Sequence, residues 1–339
     1  MTDSDDYADA VTRRRSRAAD LPRTAPPTIA VLSDRPDAPL LGLLTSAGWS
    51  VTGVLAADVF DGLLWASQTP GVDRNYLDLG ELLSDPSLDA CCLAVPPAGL
   101  GSVLVATLQA GLHTLLPRPA ELGADTVRRA LAAAEDSGAE HAVAMQQRWR
   151  APVARVARAL DSGELGPPAQ LTVRGWPTGA VPTAELLDVV TRWCGDVVAV
   201  CATPDQLPAR ELPGGATVRW ALLTASGATV LVAHDGAGVP LMRLSCPQGR
   251  VEVEAGPGDG TVHGPLGTLA PPDDATMLPT DGLRSTATRL AEAVTRSEAV
   301  ASPYDGWPWP STLRDLFVVE RIREALRSSA AERRWVETG

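Results

Sequence analysis

The chain has 339 residues, of which 45% are hydrophobic, and its formal net charge is −12 at pH 7. A chain of this length can bury a large core and form two domains. The acidic balance argues against a nucleic-acid partner, because phosphate binding needs a basic face. No apolar run reaches membrane-spanning length, and the N-terminal segment lacks the apolar core of a secretory signal. We therefore expect a cytoplasmic protein without membrane contact.

All 29 residues counted as lysine or arginine are arginine, and the sequence contains no lysine. Because arginine stays protonated, this chain cannot perform Schiff-base or lysine acid–base catalysis. The five cysteines form no C-x-x-C pair and the four histidines lack metal-ligand spacing, so the sequence predicts neither a disulfide nor a metal site. The arginine-rich run at residues 13–17 indicates a solvated tail or a contact with an anionic partner.

Residues 1–26 are interpreted as a disordered tail, and residues 27–147 as the first domain. Short apolar runs without alternation occur at Thr28–Leu32, Ala90–Val95 and His113–Leu116. Such runs are typical of strands buried on both faces of a parallel sheet, and helical segments between them give β-α-β units. The sequence therefore predicts a Rossmann-like, doubly wound parallel sheet, with ligands expected at its carboxyl edge.

The loop after the first strand is unlike a dinucleotide-binding turn. Such a turn is rich in glycine, so that bare N–H groups and a helix N-terminus can hold a pyrophosphate. No glycine occurs from Ser33 to Leu41. Two prolines remove donors and two aspartates add negative charge, at Pro36, Pro39, Asp34 and Asp37. Arg35 is the one favourable group, so the sequence predicts no NAD(P) binding or weak binding.

The second domain is predicted over residues 148–310 as an α+β domain with a large, mostly antiparallel sheet. Its apolar and alternating runs are joined by turns rich in Gly, Ser, Asp and Pro, such as Ala225-Ser226-Gly227 and Pro247-Gln248-Gly249. Residues 311–339 are predicted to form a C-terminal helix that packs back on the first domain.

Several segments resemble the Gfo/Idh/MocA family of oxidoreductases. The matching segments are Leu93-Ala94-Val95-Pro96-Pro97, Ala110-Gly111-Leu112-His113, Arg118-Pro119, Ser162-Gly163-Glu164-Leu165-Gly166 and the helix that ends in Trp193-Cys194-Gly195. The resemblance implies a Rossmann-like domain followed by a sheet domain whose open face forms an oligomer. It also implies NAD(P)-dependent hydride transfer on a sugar or polyol.

This sequence departs from the family at its catalytic positions. Arg118 stands where the family has a catalytic lysine. On the helix at residues 180–195, Val181 stands at the position of a catalytic aspartate and Glu185 at that of a histidine, whereas Asp188 matches a structural aspartate. Glu185 and Asp188 are three residues apart and share a helix face. These departures argue against the usual chemistry of the family.

Two hypotheses follow for the function. In the first, the protein has lost hydride transfer and acts as a binding or accessory protein, with a sugar-like ligand or an oligomeric partner on the C-terminal sheet. In the second, it is an oxidoreductase in which Arg118 polarises a carbonyl or holds a carboxylate and Glu185 handles the proton. The candidate catalytic residues are Arg118, Glu185 and Asp188. The candidate cofactor contacts are Ser33, Arg35, Pro96, Pro97 and Arg118.

Overall fold

The computed structural model describes residues 25–34, 37–177, 179–203, 217–234, 240–254, 262–264, 267–268, 281–296 and 311–339. The chain divides into two compact units. The first unit comprises Met1–Ala144 and Leu283–Phe317, and the second comprises Met145–Gly282 and Val318–Gly339. None of the described helices is long and apolar enough to cross a bilayer.

Most of the described residues lie in helices or strands, numbered in chain order. The helices are α1 (Ala38–Ser46), α2 (Val59–Gln68), α3 (Leu79–Ser84), α4 (Pro97–Gln109), α5 (Ala124–Ser137), α6 (Ala151–Asp161), α7 (Ala180–Cys194), α8 (Asp281–Arg296) and α9 (Leu313–Glu332). The strands are β1 (Thr28–Ser33), β2 (Ser50–Ala56), β3 (Arg74–Asn75), β4 (Ala90–Ala94), β5 (His113–Leu116), β6 (His141–Val143), β7 (Gln170–Arg174), β8 (Val197–Ala202), β9 (Thr217–Thr224), β10 (Thr229–His234), β11 (Leu241–Cys246), β12 (Gly249–Glu254), β13 (Val262–Gly264), β14 (Gly267–Thr268) and β15 (Val336–Glu337). A 3-10 turn spans Gln146–Trp149.

The sheet of the first unit is parallel throughout its described strands, in the order β3-β2-β1-β4-β5-β6. Its central strands are buried on both faces, as the continuous apolar runs predict. The strand order reverses between β1 and β4, where Ser33 and Ala94 are register partners. This is the Rossmann-like doubly wound fold predicted from the sequence, and its switch point lies where such folds bind ligands.

Helix α4 contains a local irregularity at its start. Ala98 and Gly99 have non-helical backbone angles, and Gly99 has a φ of 86°, which favours glycine. The regular part of α4 therefore begins at Leu100. The structure places this irregular turn directly after β4, at the carboxyl edge of the sheet.

Helix α8 belongs to the first unit, whereas the sequence-based boundaries placed it in the sheet domain at residues 148–310. The indole Nε1 of Trp49 donates to the carbonyl oxygen of Ala287 at 2.9 Å. Ala287 and Leu290 are fully buried in the same apolar core as Trp49 and the β1 residue Ile29. An amphipathic pattern shows that one helix face is buried, but it does not show which sheet covers that face.

The sheet of the second unit has nine strands among the described residues, in the order β14-β13-β12-β11-β7-β10-β9-β8-β15. Its pairs are antiparallel except for β7 with β10, so it is mostly antiparallel, as predicted. Helix α9 is divided between the two units. Only Leu313–Phe317 belongs to the first unit, and the remainder belongs to the second. There Ser329 Oγ accepts a hydrogen bond from the backbone N–H of Ala202 on β8 at 2.9 Å.

Candidate functional site

The N-terminus of α1, which follows β1, is capped by a carboxylate of its own chain. The backbone N–H of Leu40 donates to Asp37 Oδ1 at 3.0 Å. The N–H of Leu41 is bonded within the helix to the carbonyl oxygen of Asp37, and Pro39 has no N–H. Of the first four helical residues, only Ala38 therefore keeps a backbone N–H outside these bonds. Helix α1 begins on a negative side chain, which the positive end of its dipole stabilises.

This arrangement does not fit a dinucleotide pyrophosphate held in the usual way. A pyrophosphate needs several free N–H donors and close approach to the backbone, which glycine permits. Here the Asp37 carboxylate takes one of those donors and repels a second anion, and exposed Asp34 adds further negative charge. The favourable group of the loop, Arg35, lies outside the described residues.

An aspartate also caps the helix that follows β2. In a dinucleotide-binding fold the ribose-binding acid is expected near Ala56 or Ala57, and the nearest carboxylate, Asp58, is the N-cap of α2. Asp58 Oδ1 accepts hydrogen bonds from the N–H groups of Phe60 at 2.8 Å and Asp61 at 3.3 Å. The carboxylate nearest to the expected ribose-binding position therefore caps α2.

The other cofactor candidates lie at the ends of adjacent parallel strands. Ser33 ends β1 and is buried, Pro96 is exposed at the N-cap of α4, and Pro97 is the first residue of that helix. Arg118 is exposed on the turn after β5, and it has no ion-pair partner among the residues that the structure describes. Because β1, β4 and β5 are neighbours, these residues share the carboxyl edge of the first sheet.

In the second unit, the two acidic candidates of α7 both bind the 3-10 turn Gln146–Trp149. Glu185 is 5% exposed, and its carboxylate accepts from the backbone N–H of Gln146 at 2.8 Å and of Gln147 at 2.9 Å, with one oxygen for each. Asp188 is 2% exposed and forms a bidentate ion pair with Arg148, in which Nε donates to Oδ2 at 3.0 Å and Nη2 donates to Oδ1. One helix face therefore fixes both the backbone and the arginine of this turn.

Burial raises the pKa of Glu185 to about 7. The nearby charge of Asp188 raises this pKa further, whereas the two backbone hydrogen bonds and Arg148 lower it. A carboxyl with this pKa exists in both protonation states near neutral pH, as acid–base chemistry requires. The Asp188 carboxylate instead forms the ion pair with Arg148, which holds it against the 3-10 turn.

Two polar atoms of the 3-10 turn are buried without a hydrogen-bond partner among the described residues. They are the acceptor Gln147 Oε1 and the donor Trp149 Nε1. Trp149 is 6% exposed, and the backbone at Gly282 packs so closely that a Cβ there would come within 3.1 Å of its indole. Buried polar groups are normally satisfied, so this turn lacks one donor and one acceptor that would complete its hydrogen bonds. Nothing in the local sequence indicates that these two atoms lack partners, because that depends on how distant segments pack.

No protein-family model matches the chain. It is similar to D-apiose dehydrogenase of Paraburkholderia graminis, with 31% identity over 103 residues, which are 30% of this chain and 28% of that protein. It is also similar to scyllo-inositol 2-dehydrogenase (NAD(+)) of Bacillus subtilis, with 25% identity over 144 residues, covering 42% of this chain and 41% of that protein. These matches span less than half the length of either relative.

Solved structures match nearly the whole chain. An oxidoreductase from Pseudomonas syringae matches with a TM-score of 0.74 at 14% identity, over 94% of this chain and 100% of that one. Aldose-aldose oxidoreductase from Caulobacter crescentus, complexed with glycerol, matches with a TM-score of 0.73 at 16% identity, over 92% and 99%. An oxidoreductase from Agrobacterium radiobacter, in complex with NAD+, L-tartaric acid and magnesium, matches with a TM-score of 0.72 at 16% identity, over 93% and 99%.

The chain therefore has the fold of these solved oxidoreductases, with a Rossmann-like unit and a sheet unit. The resemblance to the Gfo/Idh/MocA oxidoreductases that the sequence predicts is confirmed.

Proposed function

We propose that this protein is a binding protein on the Gfo/Idh/MocA fold, which takes a polyhydroxylated, sugar-like ligand and has lost NAD(P)-dependent hydride transfer. The observation that carries the proposal is the Asp37 cap on α1, because it places a carboxylate where the fold normally holds a pyrophosphate. The replacement of the family's catalytic lysine by Arg118 supports it, since arginine does not exchange protons near neutral pH.

The proposed ligand class is inferred from the 3-10 turn of the second unit. Gln147 Oε1 needs a donor and Trp149 Nε1 needs an acceptor, and hydroxyl groups serve as both, so a polyol supplies both kinds of partner that this turn lacks. The names of the relatives are consistent with this class, since they refer to D-apiose, scyllo-inositol and aldoses. The bidentate Arg148–Asp188 pair and the Glu185 hydrogen bonds hold the turn in place for such a ligand.

Titration with NADH tests the loss of the cofactor. We expect no binding by the wild-type protein up to about 1 mM NADH, followed by nicotinamide fluorescence and calorimetry. The variant Asp37→Ala should bind at least about tenfold more tightly, because it removes a negative charge and frees the Leu40 N–H.

The matched control is Asp78→Ala, which removes the same kind of cap from α3. Asp78 Oδ1 accepts from the Glu81 N–H at 2.8 Å, and this helix follows the edge strand β3 rather than β1. NADH binding by this variant should equal that of the wild type. Micromolar binding of NADH by the wild-type protein would contradict the proposal.

That contrary result would favour the second candidate function, an oxidoreductase with an altered active site. Two observations speak for it: Arg118 is exposed at the carboxyl edge, and the pKa of Glu185 is about 7. In that reaction Arg118 would hold or polarise the substrate, and Glu185 would take or give the proton. NADH consumption with a polyol or its ketone would then be lost in Arg118→Ala and in Glu185→Gln.

Calorimetry with D-apiose, scyllo-inositol and glycerol tests the ligand class in the absence of cofactor. We expect at least one of these polyols to bind, and Trp149→Phe to weaken that binding about tenfold, since one hydrogen bond to the ligand is lost. The control is Trp176→Phe, whose indole Nε1 already donates to the carbonyl oxygen of Pro182 at 2.8 Å. No binding of any of the three, or equal affinity in both variants, would count against the assignment.

A further inference from the structure

Helix α2 carries large apolar side chains on two different faces. One face holds Trp65, which is 2% exposed and lies in the same apolar core as Val51 and Val54 of β2. The other face exposes Val59, Phe60, Leu63 and Leu64, which are 44%, 80%, 52% and 53% exposed. A helix that is apolar on all sides is normally covered on all sides. The exposed face of α2 therefore has the composition of a surface that a partner covers.

Leu77, which follows β3 and is 64% exposed, adds to this surface. Asn75 of β3 joins the two segments, because its Nδ2 donates to the carbonyl oxygen of Val59 at 3.4 Å and its side chain lies against Gly62. The α2 patch is defined here as Val59, Phe60, Leu63, Leu64 and Leu77. It holds five of the eight large apolar side chains that are exposed in the described part of the chain, so they are concentrated and not scattered. Such a concentration marks an interaction surface.

The rim of the α2 patch is acidic. Residues 58–81 contain five carboxylates, all of them exposed, at Asp58, Asp61, Asp73, Asp78 and Glu81. The single cation of this stretch, Arg74, is paired with Asp85. The apolar surface is therefore bordered by net negative charge, and the chemistry of the rim limits what can bind there.

The acidic rim disfavours three kinds of occupant. A second copy of the α2 patch would bring like charges together, which costs free energy. An anionic membrane surface or a nucleic acid would be repelled by the rim and by the net charge of −12. The occupant that fits has apolar side chains bordered by positive charge.

The shape of the α2 patch favours a helix as that occupant. Its α2 members lie at positions 59, 60, 63 and 64, so they repeat at a spacing of four and form ridges along the helix. A second helix packs its own side chains into the grooves between such ridges. Helix α2 has 10 residues and is about 15 Å long, so about three turns of a partner helix cover it.

We infer that the α2 patch is the docking surface for a basic amphipathic helix of another protein. The apolar side chains of that helix contact Phe60 and its neighbours, and its lysine or arginine side chains contact the acidic rim. The patch belongs to the first unit, whereas the proposed ligand site belongs to the second. The inference therefore goes beyond the proposed function and does not depend on it.

A synthetic helix of leucine and lysine tests the docking on the full-length protein. The probe is a fluorescently labelled peptide of about fourteen residues, with leucine on one helix face and lysine on the other. We expect fluorescence anisotropy to give a Kd on the order of 10 μM. Phe60→Ser should weaken binding at least about tenfold, because it removes the most exposed member of the patch. Trp335→Ser, at an apolar residue 49% exposed on the second unit, should leave the Kd unchanged.

A second pair of variants tests the rim. Asp61→Asn together with Asp73→Asn should weaken peptide binding about fivefold, since two charges that face the lysines are lost. Asp125→Asn together with Glu135→Gln removes two exposed carboxylates from α5 of the same unit and should leave the Kd unchanged. Both double variants change the net charge equally, so their difference isolates the rim. A peptide with glutamate in place of lysine should not bind at about 1 mM.

The contrary outcomes are equally specific. Failure of the lysine peptide to bind, equal affinity in wild type and Phe60→Ser, or equal affinity for the lysine and glutamate peptides would overturn the inference. Sedimentation of the protein alone tests a second copy as the occupant, and a dimer that Phe60→Ser dissociates would also overturn it. Phosphatidylglycerol vesicles test a lipid surface, and vesicle binding that Phe60→Ser abolishes would overturn it as well.

Discussion

Replacing Arg148 by alanine should lower the free energy of unfolding of the second unit by about 3–5 kcal/mol. The variant leaves Asp188, a carboxylate that is 2% exposed, without the guanidinium that pairs both of its oxygens. Removing one partner of a buried ion pair is among the most destabilising changes a single substitution can make. Urea denaturation followed by tryptophan fluorescence measures the loss.

The control for this prediction is an exposed ion pair of the same unit. Arg334 pairs with Glu332, and their side chains are 68% and 44% exposed, so Arg334→Ala should cost less than about 1 kcal/mol. Replacing both buried partners, as Arg148→Met with Asp188→Leu, should recover most of the loss, because no lone charge remains. Equal costs for Arg148→Ala and Arg334→Ala would refute the assignment, since they would mean that water reaches Asp188.

The first unit illustrates how far the sequence determines the fold. Strands buried on both faces give continuous apolar runs, so the parallel sheet and its order of β-α-β units could be predicted from local pattern. The negative charge of the loop after β1 could also be read from Asp34 and Asp37. The role of Asp37 as the N-cap of α1 could not be predicted, because a cap depends on where the helix begins. Pro39 lies inside the first turn of α1 and not before it.

The second unit shows what local pattern leaves open. The spacing of Glu185 and Asp188 correctly placed both on one helix face. Their partners, Arg148 and the backbone of Gln146 and Gln147, are 38 to 40 residues away in sequence. Contacts of this range are set by how α7 packs on the 3-10 turn, which no helical periodicity encodes. The catalytic assignments therefore remain predictions, whereas the role of both acids in holding the turn is visible in their contacts.

The buried carboxyl of Glu185 should make the protein less stable as the pH rises from about 4.5 to about 7. Its pKa is near 4.5 when exposed and about 7 in the folded protein, so the folded state binds more protons in this interval. Stability falls with pH wherever the folded state holds the extra proton. At about 1.4 kcal/mol for each pKa unit, the full effect is on the order of 3 kcal/mol.

Comparison with Glu185→Gln isolates this contribution, because other groups titrate in the same range. Burial lowers the pKa of His141 to about 4, so His141 makes stability rise between about 4 and 6.5, in the opposite direction, in both proteins. The free energy of unfolding of Glu185→Gln relative to wild type should therefore increase by about 3 kcal/mol between pH 4 and pH 8. Leu186→Ala, at the next and fully buried residue, should lower stability by the same amount at every pH. Parallel pH profiles for wild type and Glu185→Gln would mean that the Glu185 carboxyl is hydrated. Its pKa would then be too low for a proton-transfer role near neutral pH.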